Sequence, residues 1–362
     1  MQMYNKIDSN FWKSKKVFIT GHTGFKGSWL CILLKHLGAE VTGYSLKPNT
    51  KPSLFQLANI DKIIKRSVIA DVRNYNKLYN EIKKSNPSII FHLAAQPLVR
   101  HSYVNPKETF DTNFTGSLNI LEIVRKIKSI RTTILITTDK VYENTKDKIF
   151  KEDDPLGGPD PYSNSKVCVE LLFNSYYSSF FSNDKKRGFA TVRAGNVIGG
   201  GDYSDDRLIP DIYRFYDKRK SVLIRNPNST RPWQHVLEPL SGYLLLAQQL
   251  YKNKIKKISN NWNFGPNISN CKSVNYIAKY FSNKLNFKII YNAMNRKGFK
   301  PETSYLRLSN NKARKILNWH TKWNLNQTLD KIFEWNNMLN KKNALYITKK
   351  QIIDYLNLNN KL

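Results

Sequence analysis

Short apolar runs alternate along the chain with longer stretches in which apolar residues recur every three or four positions. Lys16–Thr20 (KVFIT) reads as a buried β-strand, followed by a glycine-rich turn at 21–27. Trp29, Leu30, Leu33, Leu34 and Leu37 then fall at helical spacing, and Gly38 is placed to end that helix. Residues 40–44 (EVTGY) predict a second strand. A helix over about 74–85 leads to Pro87 and a strand at 88–93 (SIIFHL). Residues 107–128 predict another helix, 132–137 (TTILIT) a buried strand, 162–180 a further helix and 189–193 (FATVR) a strand-like run. Strands separated by helix-length segments imply βαβ units and a parallel sheet.

The expected fold class is therefore α/β, a Rossmann-type doubly wound parallel sheet. Beyond about residue 195 the character changes. Gly199-Gly200-Gly201-Asp202 reads as a loop, a short helix is expected around 208–219, and polar, proline-containing segments follow at 225–239 and 263–270. The division this predicts is a dinucleotide-binding unit over 1–198, to which later segments can return, and a smaller α/β unit mainly over 199–362. The second unit would lie over the C-terminal ends of the strands. No internal repeat is visible.

Composition narrows the class. Of 362 residues, 59 are Lys or Arg and 27 are Asp or Glu, a formal net charge of +32. With 40% apolar and 24% charged residues, the chain has a globular balance and can bury a core without covalent staples. The three cysteines, Cys31, Cys168 and Cys271, are far apart with no CxxC spacing, which excludes a disulfide framework and a cysteine-built zinc site, so no metal is expected. No apolar run approaches the about 18 residues of a spanning helix, and the first residues lack the apolar core of a signal peptide. The expectation is a cytoplasmic protein without a membrane partner. The basic excess invites a nucleic-acid reading, but the lysines are dispersed rather than in blocks, as on a solvated, lysine-biased surface.

Two places carry candidate chemistry. In Thr20-Gly21-His22-Thr23-Gly24-Phe25-Lys26-Gly27, between strand and helix, glycines let the backbone approach a pyrophosphate, and the helix N-terminus offers free N–H groups. The second strand ends in Tyr44-Ser45-Leu46-Lys47, without the acid that normally grips a ribose, so NAD and NADP both stay open. Asp71-Val72, after another β-like run, is a candidate adenine contact. The other place is Tyr162-x-x-x-Lys166, where an ammonium one turn from a phenol is expected to lower the phenol's pKa. The spacing recurs elsewhere; what singles out this pair is its helix, which follows the strand ending at Thr138. Asp139 and Lys140 come next, an acid and a base beside a site for hydride transfer, which an elimination needs and a simple oxidation does not.

The glycine turn, the Thr-Tyr-x-x-x-Lys set and the strand order resemble the extended short-chain dehydrogenase/reductase superfamily. Within it the chain resembles the CDP-glucose 4,6-dehydratases over nearly its whole length, through FWKSKKVFITGHTGFKGSWL, GAEVTGYSLKP, FHLAAQPLVRHSY, TTDKVYEN, EDDPLGGPDPYSNSK, RAGNVIGGGD, IRNPNSTRPWQHVLEPLSGYLLLA and WNFGP. The resemblance implies NAD held by Gly21, Thr23, Gly24, Phe25, Lys26, Gly27, Asp71, Val72, Leu93, Ala94 and Ala95, together with Tyr162 and Lys166. It implies Tyr162 as the base at the glucose C4 hydroxyl, supported by Thr138 and Lys166, Asp139 as the acid at C6, and Lys140 where dTDP-glucose dehydratases carry a glutamate base. Gln96, Asn113, Asn196, Arg207, Arg225 and Arg231 are the expected substrate contacts, arginine forks suiting a diphosphate. Tyr203 departs from the pattern, standing where Trp is commoner.

The implied reaction takes CDP-glucose to CDP-4-dehydro-6-deoxyglucose and water, as in the supply of deoxysugars for O-antigen type lipopolysaccharide. The implied assembly is a homodimer or homotetramer built on helices around 107–128 and 162–180. Two other readings stand beside it. A nucleotide-sugar 4-epimerase shares the fold and the Thr/Tyr/Lys set without needing the Asp139-Lys140 pair. A catalytically inactive RNA-binding relative would use the basic surface, but such proteins typically lose the Tyr or the Lys, and both are present.

Overall fold

The computed structural model describes residues 6–143, 148–224, 226–255, 260–291, 305–339 and 342–358. Seven strands form one all-parallel sheet: β1 Lys16–Thr20, β2 Glu40–Ser45, β3 Arg66–Ile69, β4 Ile89–His92, β5 Thr132–Ile136, β6 Gly188–Ala194 and β7 Asn261–Phe264. Their spatial order is β7-β6-β5-β4-β1-β2-β3. The central strands are buried along their whole length, as a sheet covered on both faces demands. After β3 the chain returns past β1 to lay down β4, so the winding reverses between β1 and β4. Such a reversal opens a crevice at the C-terminal ends of the strands.

The helices obey their sequence signals. Helix α1, Phe25–His36, buries Gly27 to Leu34 without a break and stops before Gly38. Asn74 caps α2, Tyr75–Ser85, by accepting the Lys77 N–H at 3.0 Å. The expected helix at 107–128 is present and carries one irregular turn. Pro106–Phe110 passes through one π-turn at Asp111–Thr115 into α3, Gly116–Lys126. The extra residue there accompanies the inward turn of Asn113, which is fully buried. Helix α4, Pro161–Tyr176, ends in a second π-turn at Tyr177–Phe181, and Asp160 caps its start through the Ser163 N–H at 2.9 Å.

The later half contributes both to its own layer and to the first. The helices Leu208–Asp217 and Val274–Leu285 pack around Ile209, Ile212, Trp233, Ile277 and Phe281 over the strand ends. Residues 263–264, the start of the polar, proline-containing segment expected at 263–270, belong to strand β7 on the edge of the main sheet. Its polar residues misled the reading because their partners are remote: Asn263 accepts from the Tyr142 hydroxyl at 2.7 Å, and Asn261 donates to Glu170 at 2.7 Å. Helix α5, Leu237–Tyr251, is buried throughout most of its length and packs under β5 and β6. Glu238 in its first turn accepts from the backbone N–H groups of Lys322 and Trp323 and from the Tyr355 hydroxyl, tying down the C-terminal helix α6, Ala344–Asn357. Among the described residues no helix is long and apolar enough to cross a membrane.

Candidate active site

A cleft of about 660 Å³ runs along the crevice, from the β1 turn and the ends of β2 and β3, past β4 and β5, to the layer above. At its first end the β1 turn is shaped by close backbone approach. Gly21 adopts φ +75°, and a Cβ there would stand 2.7 Å from the Ala94 nitrogen. At Gly27 a Cβ would stand 2.1 Å from the Gly21 carbonyl oxygen, so α1 can begin this near the turn only without a side chain. Gly24 is the N-cap and supplies no side-chain bond to the first helical N–H groups. The Thr23 hydroxyl bridges to Ser45 Oγ and the Leu46 carbonyl, both at 2.9 Å, joining the turn to the end of β2.

Most residues picked out from the sequence meet in this cleft. Gly21, Thr23, Gly24, Phe25, Lys26, Gly27, Asp71, Val72, Leu93, Ala94 and Ala95 line it, as do Gln96, Thr138, Asp139, Lys140, Tyr162, Lys166, Asn196, Arg207 and Arg231. The Asp71 carboxylate is held by the Arg73 N–H at 2.8 Å and its guanidinium at 2.9 Å, which lowers its pKa against the opposing effect of burial. Arg225 lies outside the described residues. Asn113 does not line the cleft. Its Oδ1 accepts the Gln96 N–H at 2.8 Å, and its Nδ2 donates to Ser165 Oγ at 2.8 Å and the Gln96 carbonyl at 3.2 Å. Within the protein its amide is engaged by Gln96 and Ser165. Every polar atom of the amide is spent lacing the loop after β4 to helix α4. The Gln96 side chain is likewise engaged, with Thr109 Oγ1 at 2.9 Å and with the Leu98 backbone.

At the other end, the turn after β5 brings Thr138 and Asp139 against Tyr162 and Lys166 of α4. Thr138 Oγ1 donates to Asp139 Oδ1 at 3.1 Å, while Asp139 Oδ2 is buried with no partner. Burial raises the Asp139 pKa to about 6, against the lowering pull of Lys140, Thr138, Arg231 and Lys26. A carboxyl so placed holds its proton far closer to neutrality than an exposed one. Lys166 Nζ donates to the Ile136 carbonyl at 3.2 Å, and burial lowers its pKa to about 8. The expected lowering of the Tyr162 pKa does not occur in the chain alone. Burial pushes it up to about 12, opposed by the Thr138 hydroxyl, because the Lys166 ammonium is turned to a backbone carbonyl.

Several functional neighbours escaped the sequence reading. Asp202, nearly buried on its side chain, accepts from Arg207 at 3.2 Å, and Arg100 pairs with Asp206 at 3.0 Å across the mouth of the cleft. The only signal for Asp202 and Arg100 was membership of the RAGNVIGGGD and QPLVRHSY stretches, which carries no geometry, and Asp206 lies outside both. Tyr243 of α5 is fully buried, and its hydroxyl has no partner. Among the described residues no three His, Cys, Asp or Glu side chains gather to hold a metal.

The sheet order, the glycine turn and the Thr/Tyr/Lys set at one crevice define a protein of the extended short-chain dehydrogenase/reductase class. A family model described as GDP-mannose 4,6 dehydratase matches residues 18–332, and the chain belongs to that family. It is 45% identical to the CDP-glucose 4,6-dehydratase of Salmonella typhimurium over 356 residues, 97% of this chain and 98% of the relative. Two solved structures share the fold. A UDP-glucose 4-epimerase from Stenotrophomonas maltophila with bound NAD superposes with a TM-score of 0.77 at 20% identity, covering 90% of this chain and 99% of that one. The dTDP-glucose 4,6-dehydratase of Bacillus anthracis in complex with NAD gives 0.73 at 22% identity, covering 90% and 97%.

Proposed function

We propose that the protein is a CDP-glucose 4,6-dehydratase, removing water across C5 and C6 of CDP-glucose to give CDP-4-dehydro-6-deoxyglucose. The observation that carries this reading is Asp139, a buried carboxyl with one unpartnered oxygen, held one residue from Thr138 in the same cleft as Tyr162 and Lys166. A 4-epimerase exchanges hydride at one carbon and has no use for such an acid.

NAD fits the first end of the cleft. A turn kept bare by Gly21 and Gly27, beside a helix start without a side-chain cap, is a cradle for a pyrophosphate. Thr23, Phe25, Lys26, Asp71, Val72, Leu93, Ala94 and Ala95 complete its wall. When bound, NAD accepts and returns a hydride. Tyr162, as the phenolate, takes the proton of the C4 hydroxyl at Oη, with Thr138 beside it and Lys166 behind it. The resulting ketone acidifies the C5 proton, which Lys140 receives. Asp139 delivers its proton to the C6 oxygen, which departs as water. Asn196, Arg207 and Arg231 face the space where the diphosphate and cytidine would lie, with Gln96 fixing the loop between them and the sugar.

The cofactor half comprises 1–198 with β7, α5 and α6 returning to it, and the nucleotide-sugar half the remaining parts of 199–362. The homo-oligomer forms through the helices around 107–128 and 162–180, on the second of which Leu171 and Phe180 are exposed. The protein works in the cytoplasm, without nucleic-acid or membrane partners, supplying a deoxysugar route of the lipopolysaccharide type. Incubation with CDP-glucose and with dTDP-glucose tests the reading by mass spectrometry. Loss of one water from the CDP-sugar is expected; loss from the dTDP-sugar alone overturns it.

A further inference from the structure

Tyr162 is the second residue of α4, at the end where a helix leaves its backbone N–H groups without acceptors of its own. Pro161 before it has no N–H, and Asp160 caps the residue after it. Asp160 Oδ1 accepts the Ser163 N–H at 2.9 Å, and its Oδ2 accepts the Ser163 hydroxyl. With both carboxylate oxygens spent on Ser163, the buried N–H of Tyr162 has to find its acceptor in another element.

Ser102, 60 residues earlier in the chain, is that acceptor. Its Oγ accepts the Tyr162 N–H at 3.1 Å and donates to the Val99 carbonyl at 2.6 Å. The second bond fixes where the hydroxyl hydrogen points and leaves the lone pairs for Tyr162. The Tyr162 carbonyl is held too, accepting from Ser165 Oγ at 2.7 Å, while Asn113 donates to that oxygen. Ser102 and Ser165 are both fully buried, so the peptide groups on either side of the Tyr162 Cα are fixed from within the protein.

The acceptor is itself anchored to the cleft. Ser102 belongs to the short helix Val99–Val104, whose first turn lines the cleft. Gln96 Oε1 accepts the Leu98 N–H at 2.6 Å, and the Leu98 carbonyl accepts the Ser102 N–H at 3.1 Å. Arg100 of the same helix reaches Asp206 of the upper layer at 3.0 Å. Asp160 is a local cap such as most helices carry, whereas the N–H of the base residue is tied to the cleft wall.

We propose that Ser102 is a positioning residue for the base, fixing Tyr162 to the cleft wall so that its phenolate oxygen meets the C4 hydroxyl in line for proton transfer. The inference rests on the role given to Tyr162 in the dehydratase reading. In that step the hydroxyl proton passes to the phenolate as the C4 hydride passes to NAD, and Ser102 neither gains nor loses a proton. Ser102 does not line the cleft and acts on the reaction through Tyr162.

Amide hydrogen exchange on the full chain tests the tie without turnover. In Ser102→Ala the Tyr162 amide should exchange about tenfold faster or more, while the later turns of α4 keep their protection. CDP-6-deoxyglucose, which has no C6 hydroxyl to lose, isolates the C4 oxidation. NADH formation from it should slow about tenfold in Ser102→Ala with KM within about twofold, and the C4-deuterium isotope effect with CDP-glucose should rise. Ser102→Thr keeps the oxygen acceptor and should recover most of both. Ser102→Cys fills the space with a weak acceptor and should behave like Ser102→Ala, so it carries the test if the alanine variant does not fold. Parental exchange and parental NADH formation in the folded variants overturn the proposal. Protection lost along all of α4, with no recovery in Ser102→Thr, marks a merely structural role and overturns it as well. Parental protein that forms NADH from CDP-6-deoxyglucose but removes no water from CDP-glucose overturns the dehydratase reading alone, since an epimerase begins with the same C4 step.

Discussion

Glu170 lies one helical turn beyond Lys166 and grips Arg193 of β6 through both carboxylate oxygens, Nε to Oε1 at 2.9 Å and Nη2 to Oε2 at 3.0 Å. Thr137, Thr191 and Asn261 bond to the same carboxylate, so α4, β6, β7 and the residue after β5 converge on one side chain. The carboxylate is fully buried, and Arg193 holds its pKa below the usual range despite that burial.

Glu170→Ala strands the Arg193 charge in the interior. Breaking a buried pair from one side costs about 3–5 kcal/mol. Urea denaturation should show a loss of that size, with Lys166 displaced and turnover lost even in the fraction that folds.

Asp139→Asn should produce the opposite effect on stability. The folded pKa, about 6, is raised above that of an exposed aspartate, so ionising Asp139 disfavours the folded state. The penalty is absent below about pH 4, grows as pH rises through 6 and is constant beyond it. At pH 8 the Asn variant should therefore be about 2–3 kcal/mol more stable than the parent, converging with it at pH 4, while dehydration is abolished. Denaturation midpoints at the two pH values measure the difference.

Gly27→Ala acts on backbone alone, because the new methyl meets the Gly21 carbonyl. The turn must open, and calorimetric titration should show NAD binding lost or weakened by about tenfold or more, a loss of at least about 1.4 kcal/mol.

Asn113→Ala leaves the buried Gln96 N–H without its acceptor and removes the donor to the Gln96 carbonyl and Ser165 Oγ, and should destabilise the fold by about 1–3 kcal/mol. Because the loop after β4 is then no longer laced to α4, kcat should fall more than the KM for CDP-glucose rises. Steady-state kinetics separate the two.

How much of this the sequence carries depends on where each residue's partners lie. Strands β1, β4, β5 and β6 are legible because burial on both faces leaves them short and rich in apolar and β-branched residues. The glycine turn is legible because a Cβ at Gly21 or Gly27 has no room. Strand β7 is not, because Asn261 and Asn263 look like loop residues until Glu170 and Tyr142 are placed beside them. Asn113 is legible as a position, but the bonds of its amide to Gln96 and Ser165 are not, since a fully used amide and a ligand-facing one read alike in one dimension. For Tyr162 the local spacing pointed to a lowered pKa, and burial, a property of the whole fold, reversed the sign. Tyr243 sits on an apolar helix face, where its hydroxyl carries no periodic signal.

The return of β7 to the edge of the main sheet has an evolutionary corollary. A recombination joint at residue 198 would leave β6, whose residues are all buried in the intact sheet, as an open edge, inviting aggregation instead of a new enzyme. Novel sugar specificity in such a chain therefore has to arise by point changes within the upper layer, or by exchange of inserts that spare β7, α5 and α6, and not by trading one half for another.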